Sequence, residues 1–238
     1  MSLKPDSSKA RAVPGPRARI SLAAATAALR RRDPAFDRLV AFAGPIRHRP
    51  RNHDGHFGTL VHAVVFQQLS GAVARAIFER VVAAAGGNLS ARTLASLGDD
   101  ELRGAGLSRN KLLSLRDLCA KVLDGSVDLS ANSRRSDDEI VAELVTVRGI
   151  GRWTAEMYLM FELRRLDVWP VDDLGVRQGY AFAWGLDPAP KPKELQLLGE
   201  RFRPYRSIVA RYCWQAVALF RSDLQAARRA LQPVKLKP

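Results

Sequence analysis

The chain has 238 residues, of which 47% are apolar and 26% charged, so it can bury a core and has the composition of a soluble globular protein. Its 38 Lys and Arg exceed its 24 Asp and Glu, giving a net charge of +14, which indicates a polyanionic partner such as nucleic acid. Two cysteines are too few for a disulfide framework or an iron–sulfur cluster.

The sequence shows neither the apolar run of a membrane span nor the pattern of an export signal. No apolar run reaches the roughly 20 residues that span a bilayer, and the N-terminus lacks the apolar stretch of a signal peptide. Arg outnumbers Lys and Ala is abundant, as is typical of a GC-rich bacterial gene. We therefore expect a cytoplasmic bacterial protein with no membrane partner.

Helical patterning dominates the chain after an N-terminal tail. Residues 1–19 are rich in Pro, Ser and basic residues, which predicts a disordered basic tail. Asp33, Pro34 and Gly44 are the start and stop signals of one helix, and Ser136 and Glu139 have capping-box spacing. Apolar periodicity or start signals mark further helical segments at 57–87, 90–98, 99–106, 108–125, 136–147, 152–165, 173–184, 193–200, 204–220 and 221–231. The fold should be all-α, with about ten or more helices.

The stretch LVTVRGIGRWTAEMYLMF has helical spacing at both ends and two glycines in the middle. Such a turn exposes backbone N–H groups at the start of the second helix, where the helix dipole favours an anion. It can therefore hold a DNA phosphate without reading sequence, although a plain interhelical turn has the same pattern. The candidate DNA contacts here are Gly149, Ile150, Gly151, Arg152 and Thr154.

A pair of carboxylates follows about twenty residues later, in DVWPVDDLGVRQGY. Asp172 and Asp173 lie at the start of a predicted helix, where one of them can be the N-cap. The second carboxylate is not needed for capping and is free to face a cleft.

Together with FQQLSGAVA and YRSIVARYCW, these motifs resemble the helix–hairpin–helix (HhH-GPD) DNA glycosylase superfamily, in its 3-methyladenine glycosylase II (AlkA/Mag-like) branch. The resemblance covers roughly residues 33–220. It implies one helical glycosylase domain over 20–238 with the active site in a cleft between two lobes. One lobe would comprise about 57–165, and the other 20–56 plus 166–238.

The resemblance also implies roles for individual residues. Asp173 matches the catalytic aspartate, and Asp172 its less essential neighbour beside the base pocket, a cap or support. Trp153 stands where members with lyase activity have a Schiff-base lysine, which implies a monofunctional, hydrolytic enzyme. Trp153 and Trp214 match aromatic residues that flank the base pocket, while Met157 and Leu174 stand where AlkA-type enzymes have tyrosines.

Two further assignments follow from the resemblance. Leu69, with Gln68 beside it, matches the wedge that fills the gap left by a flipped nucleotide. No cofactor is implied for the chemistry, but the backbone carbonyls of Val145, Val147 and Ile150 match a structural site for Na⁺ or K⁺.

The sequence thus predicts a monomeric, monofunctional glycosylase that removes alkylated purines, mainly 3-methyladenine and also 7-methylguanine, from double-stranded DNA. An ionised Asp173 could stabilise positive charge on the sugar or orient water, and the sequence does not choose between these roles. Two alternatives remain at this point. One is a glycosylase for another damaged or deaminated base, and the other is a non-catalytic helix–hairpin–helix module that binds DNA structure.

Overall fold

The computed structural model describes residues 20–47, 55–132, 134–222 and 231. These residues form twelve α-helices and no β-strand, which confirms the all-α prediction. The predicted tail at 1–19 and most of the predicted helix at 221–231 lie outside the described residues. The helices are α1 Leu22–Arg32, α2 Pro34–Ala43, α3 Gly55–Phe66, α4 Gly71–Ala84, α5 Ala91–Ser96, α6 Asp99–Gly104, α7 Arg109–Leu123, α8 Asp137–Leu144, α9 Arg152–Met157, α10 Leu174–Trp184, α11 Pro192–Gly199 and α12 Arg206–Ser222.

The predicted helix signals act as expected. The Asp33 carboxylate accepts a hydrogen bond from the backbone N–H of Phe36 at 2.9 Å, so Asp33 caps α2, and Pro34 occupies the first turn. Gly44 ends that helix with a φ of 73°. Ser136 and Glu139 form the reciprocal capping box at the start of α8.

Two predicted segments differ from the observed elements. The apolar stretch at 57–87 is divided between α3 and α4 by a loop over 67–70, in which Gln68 has a φ of 57°. The helix predicted over 152–165 changes after α9 into a π turn, Tyr158–Glu162. Periodicity detects neither change, because apolar spacing continues through both. Single π turns inside helices are frequent at functional sites.

Helices from the two ends of the described chain pack together. Helices α1 and α2 contact α12, and α10 contacts both α2 and α12. The Phe36 ring meets the Tyr212 ring edge to face, with centroids 5.2 Å apart. The intervening helices pack among themselves, chiefly α3 on α4 and α7, α5 on α7, and α8 on α9. The assignment of exact lobe boundaries stays a prediction.

The closest approach between α10 and α12 depends on a glycine. A Cβ atom at Gly179 would overlap the backbone carbonyl of Cys213, so the two helices can cross at this separation because position 179 lacks a side chain. Cys213 and Cys119 are both buried and free. No helix in the described part of the chain has both the length and the apolar character to cross a membrane.

We expect Gly179→Ala to lower the free energy of unfolding by about 1–3 kcal/mol, the usual cost of overpacking a tight contact. The obstacle is backbone, which cannot rotate away as a side chain can. Urea denaturation monitored by circular dichroism measures the change.

Gly104→Ala is the control, because a Cβ at Gly104 would have nothing within 4 Å. It should leave the free energy of unfolding unchanged or raise it slightly. Equal stability of the two variants would show that the α10–α12 crossing tolerates a methyl group.

Candidate active site

Three hydrogen-bond donors hold the carboxylate of Asp173. Its Oδ1 accepts from the backbone N–H of Val176 at 2.8 Å and from Nε1 of Trp214 at 2.9 Å. Its Oδ2 accepts from Nε1 of Trp153 at 2.7 Å. A carboxylate has about four acceptor positions, so this arrangement fixes its orientation and leaves one position on Oδ2.

Asp173 is therefore both the N-cap of α10 and the carboxylate that the two tryptophans bind. The interpretation of Asp172 as the cap is wrong, because the first-turn N–H bonds the Asp173 side chain instead. Asp172 is exposed. A single aspartate can combine these roles because capping occupies one oxygen and leaves the other available.

The segment that leads to Asp173 is fixed to the start of α12. The Ser207 hydroxyl accepts from the backbone N–H of Val168 at 2.8 Å, and the Ser207 backbone N–H donates to the carbonyl of Leu166 at 3.0 Å. The buried Arg206 guanidinium bonds the Asp167 carboxylate, with 2.8 Å between Nε and Oδ1. These contacts set the position of the extended segment that carries Asp173.

A cavity of about 830 Å³ opens beside Trp153. Helix α3 and the loop that follows it supply one side of the cavity, α4 supplies Phe78, and α9 with the π turn supplies the other side. The lining residues are Thr59, His62, Ala63, Phe66, Gln67, Gln68, Phe78, Trp153, Thr154, Met157, Tyr158, Phe161 and Glu162. The size is within the range of small-molecule sites, and the mostly apolar and aromatic lining is typical of them.

The predicted pocket residues divide into two sets. Trp153 and Met157 line the cavity. Trp214 is absent from the lining, but its ring stacks on that of Phe161 with centroids 5.8 Å apart. Asp172 and Leu174 are also absent from it, and Leu174 is 59% exposed. The structure thus brings Trp153, Trp214 and Asp173 together, while Asp172 and Leu174 face outward.

Sequence reasoning missed the contribution of α3 to this cavity. Thr59, His62, Ala63 and Phe66 follow the i, i+3, i+4, i+7 spacing of one helix face. That signal was available, but it equally describes a face buried in the core. The His62 ring stacks on Phe66 at 3.7 Å between centroids, which orders this wall.

The Gly-Ile-Gly turn joins α8 to α9 as predicted. Gly149 has a φ of 76°, and a Cβ there would overlap the Ser114 hydroxyl. Gly151 is the N-cap of α9 and offers no side chain to its first turn, so those N–H groups lack intrahelical partners. Next to the turn, the backbone N–H of Arg148 donates to the Asp117 carboxylate at 2.7 Å. This bond lowers the pKa of Asp117.

The loop with Gln68 and Leu69 is tied to this turn. The side-chain amide of Gln67 donates to the carbonyl of Gly149 at 2.9 Å. The Lys111 ammonium donates to the carbonyls of Gln67, at 2.8 Å, and Val65, and burial lowers its pKa. Gln68 lines the cavity, and Leu69 is 38% exposed. The two predicted DNA contacts of this loop therefore lie beside the hairpin and the cavity.

The carbonyls proposed for a monovalent cation belong to the turn between α8 and α9. The Val147 carbonyl accepts from the backbone N–H of Ile150 at 3.0 Å, which leaves its second lone pair for a ligand bond. The Thr146 carbonyl accepts from Lys121, so the lysine uses a different oxygen from the predicted set. Neutral carbonyl oxygens are ligands that suit a hard monovalent ion, so the donor chemistry of Val145, Val147 and Ile150 is compatible with Na⁺ or K⁺, and the site stays a prediction. No group of three or more His, Cys, Asp or Glu in the described ranges could hold a metal ion.

Comparison with known proteins identifies the relatives of this arrangement. Residues 61–204 match the family described as HhH-GPD superfamily base excision DNA repair protein. The chain is 32% identical over 191 residues to DNA-3-methyladenine glycosylase 1 of Schizosaccharomyces pombe, covering 79% of this chain and 84% of that protein. It is 27% identical over 193 residues to the alkylbase DNA glycosidase-like protein mag2 of the same yeast, covering 79% and 91%.

Solved structures agree with this relationship. The S. pombe 3-methyladenine DNA glycosylase (Mag1) in complex with abasic DNA superposes with a TM-score of 0.71 at 31% identity, covering 80% of this chain and 95% of that one. The DNA-3-methyladenine glycosidase of Bacillus halodurans superposes with a TM-score of 0.73 at 32% identity, covering 84% and 90%. The predicted AlkA/Mag-like relationship is confirmed, and the chain belongs to the HhH-GPD superfamily of base excision DNA repair proteins.

Proposed function

We propose that this protein is a monofunctional DNA glycosylase that hydrolyses the N-glycosidic bond of alkylated purines, 3-methyladenine above all and also 7-methylguanine, in double-stranded DNA. The observation that carries the proposal is the Asp173 carboxylate held by the indoles of Trp153 and Trp214 beside an aromatic-lined cavity. The names of the relatives support the same activity and substrate class. We propose that the protein acts as a monomer.

The chemistry requires a good leaving group and charge stabilisation. In an N3- or N7-methylated purine nucleotide the base is cationic, so when the bond from C1′ to the base breaks, the bond electrons neutralise the base. Positive charge then develops on the sugar, and the fixed carboxylate of Asp173 stabilises it by preorganised electrostatics. The donors from Trp153, Trp214 and Val176 keep the carboxylate in place without solvent reorganisation.

Water completes the reaction. Its oxygen bonds to C1′, and one of its protons passes to the surrounding water, leaving an abasic sugar and the free base. The acceptor position that remains on Oδ2 of Asp173 can hold this water through one O–H. The amine nucleophile of a lyase is missing here, because Trp153 occupies the corresponding position and the described residues that line the cavity include no lysine.

DNA is held by the hairpin and the loop that Gln67 ties to it. The open N–H groups at the start of α9 donate to a phosphate, supported by Arg152 and Thr154. Leu69 fills the stack when the damaged nucleotide leaves it, with Gln68 alongside. We propose that the carbonyls of Val145, Val147 and Ile150 hold Na⁺ or K⁺, which would add positive charge near that phosphate.

The non-catalytic alternative leaves the site without a role. A module that binds DNA structure needs the hairpin and the positive charge, but not a carboxylate bound by two indoles beside a cavity. A glycosylase for oxidised, deaminated or mismatched bases remains the second candidate function, since a neutral base could also enter an apolar cavity. Its distinguishing result would be release of the neutral base with no release of methylated purines.

Removing the charge of the Asp173 carboxylate tests its catalytic role. Asp173→Asn should lower the single-turnover rate of 3-methyladenine release from N-methylated duplex DNA by roughly 10²–10³-fold, because it removes the charge that stabilises the sugar cation. Binding to abasic-site DNA should persist, since Asn is also a good N-cap.

Asp33→Asn is a matched control. Asp33 also caps a helix and accepts from an indole, that of Trp184 at 3.2 Å, but it lies outside the site. It should retain the wild-type rate. Full activity of Asp173→Asn would show that another group is catalytic.

A substitution at Trp153 distinguishes the role of its aromatic ring from the role of its N–H donor. Trp153→Phe keeps an aromatic wall but removes the donor to Oδ2 of Asp173, so the single-turnover rate should fall about ten-fold, as for loss of a hydrogen bond to a charged group. The affinity for abasic-site DNA should change little. Trp184→Phe removes the equivalent bond to Asp33 and should alter thermal stability without altering the rate. Equal rates for wild type and Trp153→Phe would mean that Asp173 needs no donor from this residue.

A methyl group added at Gly151 tests whether DNA phosphate approaches the hairpin. A Cβ at Gly151 would have no neighbour within 4 Å, and the residue has an ordinary φ of −90°, so Gly151→Ala should fold with a stability loss of no more than about 1 kcal/mol. The added methyl would meet an approaching phosphate, and the dissociation constant for duplex DNA should rise about ten-fold, independently of sequence. Fluorescence anisotropy measures this affinity.

Gly98→Ala makes the same change at the N-cap of α6, where a Cβ also meets nothing within 4 Å. It should bind DNA as the wild type does. If Gly151→Ala bound equally well, the phosphate would not approach the turn at this residue.

A further inference from the structure

Glu162 is an acidic group inside the cavity that the proposed mechanism does not use. It is the last residue of the π turn and is 5% exposed. Among the described residues that line the cavity, it is the one carboxylate. Buried carboxylates are costly unless they are paired or serve a function, so its position requires an explanation.

Its immediate partners are a hydroxyl group and a partly exposed imidazole. Oε2 accepts from the Thr59 hydroxyl at 2.9 Å, and Oε1 lies 3.1 Å from Nδ1 of His56, whose side chain is 42% exposed. No Arg or Lys in the described chain forms a salt bridge with Glu162, whereas the nearby Glu156 pairs with Arg152 at 3.1 Å. Within the described residues, the Glu162 carboxylate therefore has no guanidinium or ammonium group as a salt-bridge partner.

The backbone explains how Glu162 reaches the cavity. Two rows of residues on α9 and the π turn line the cavity, each with intervals of four residues. One row is Thr154, Tyr158 and Glu162, and the neighbouring row is Trp153, Met157 and Phe161. The row that begins with Trp153 forms an aromatic and apolar wall, and Trp153 itself bonds Asp173. The same helix face thus connects the catalytic carboxylate, through Trp153, with the acidic group at its other end.

From this geometry we propose that Glu162 selects cationic bases over neutral ones. The inference rests on the proposed function, because it concerns the charge of the base that enters the cavity. A positive purine gains attraction from a carboxylate in a poorly solvated site, where charges interact more strongly than in water. A neutral base gains no such attraction and must still displace the water around the carboxylate. The aromatic rings add a weaker preference for cations.

The test compares Glu162→Gln with the wild type under single-turnover conditions. Glutamine keeps the shape and can still accept from Thr59, so the cavity should remain intact. The release rates of 3-methyladenine and 7-methylguanine from N-methylated DNA should both fall about ten-fold. Release of hypoxanthine from inosine-containing DNA should stay equal or rise, and binding to abasic-site DNA, which has no base to place in the cavity, should be unchanged.

Glu101→Gln is the control for net charge, since Glu101 is exposed on α6 and outside the cavity. It should release both methylated purines at the wild-type rate. Glu162→Asp restores the charge on a shorter side chain and should recover part of the lost rate. If only the length of the glutamate side chain mattered, Glu162→Asp would recover none of it.

The outcomes separate the two proposals. If wild type releases methylated purines and Glu162→Gln releases them equally fast, charge selection by Glu162 is overturned while the proposed function stands. Equal slowing of cationic and neutral bases, or weaker binding to abasic-site DNA, would likewise overturn it. If wild type releases no methylated purine, the proposed function itself fails.

Discussion

The hydrogen bonds to Asp173 unite parts of the chain that are far apart in sequence. Trp153 comes from α9, Val176 from α10 and Trp214 from α12. Each donor has its position only if its helix packs correctly: α9 against α8, and α10 against α12 at the Gly179 contact. Because a carboxylate needs precise placement to stabilise a developing charge, the helix packing and the chemistry depend on the same interactions.

A second series of contacts links DNA binding to that carboxylate. Lys111 bonds the end of the loop that contains Leu69, and Gln67 in this loop bonds the hairpin at Gly149. Two residues after the hairpin's second glycine, Trp153 bonds Asp173. On the proposed function, a phosphate bound at the turn would thus be positioned relative to both Leu69 and Asp173 by a few direct contacts.

Much of this arrangement could be predicted from local patterns. The caps at Asp33 and Ser136, the Gly-Ile-Gly turn and the family match of Asp173 are each recorded in a few neighbouring residues. The π turn, the contribution of α3 to the cavity and the dual role of Asp173 could not be predicted in this way. They depend on which helix faces meet, and the helical spacing of Thr59, His62 and Phe66 is the same for a core face as for a pocket wall.

The distribution of charge reconciles two opposite requirements of the ligand. Damaged DNA is a polyanion, which a chain with a net charge of +14 attracts. The alkylated base within it is a cation, which the same positive surface would repel. Asp173 and Glu162 lie on or beside the cavity with their charges not balanced by Arg or Lys salt bridges in the described chain. On the proposed function, the excess positive charge would attract the backbone of the DNA, while the carboxylates of Asp173 and Glu162 would favour the one part of the strand that carries positive charge.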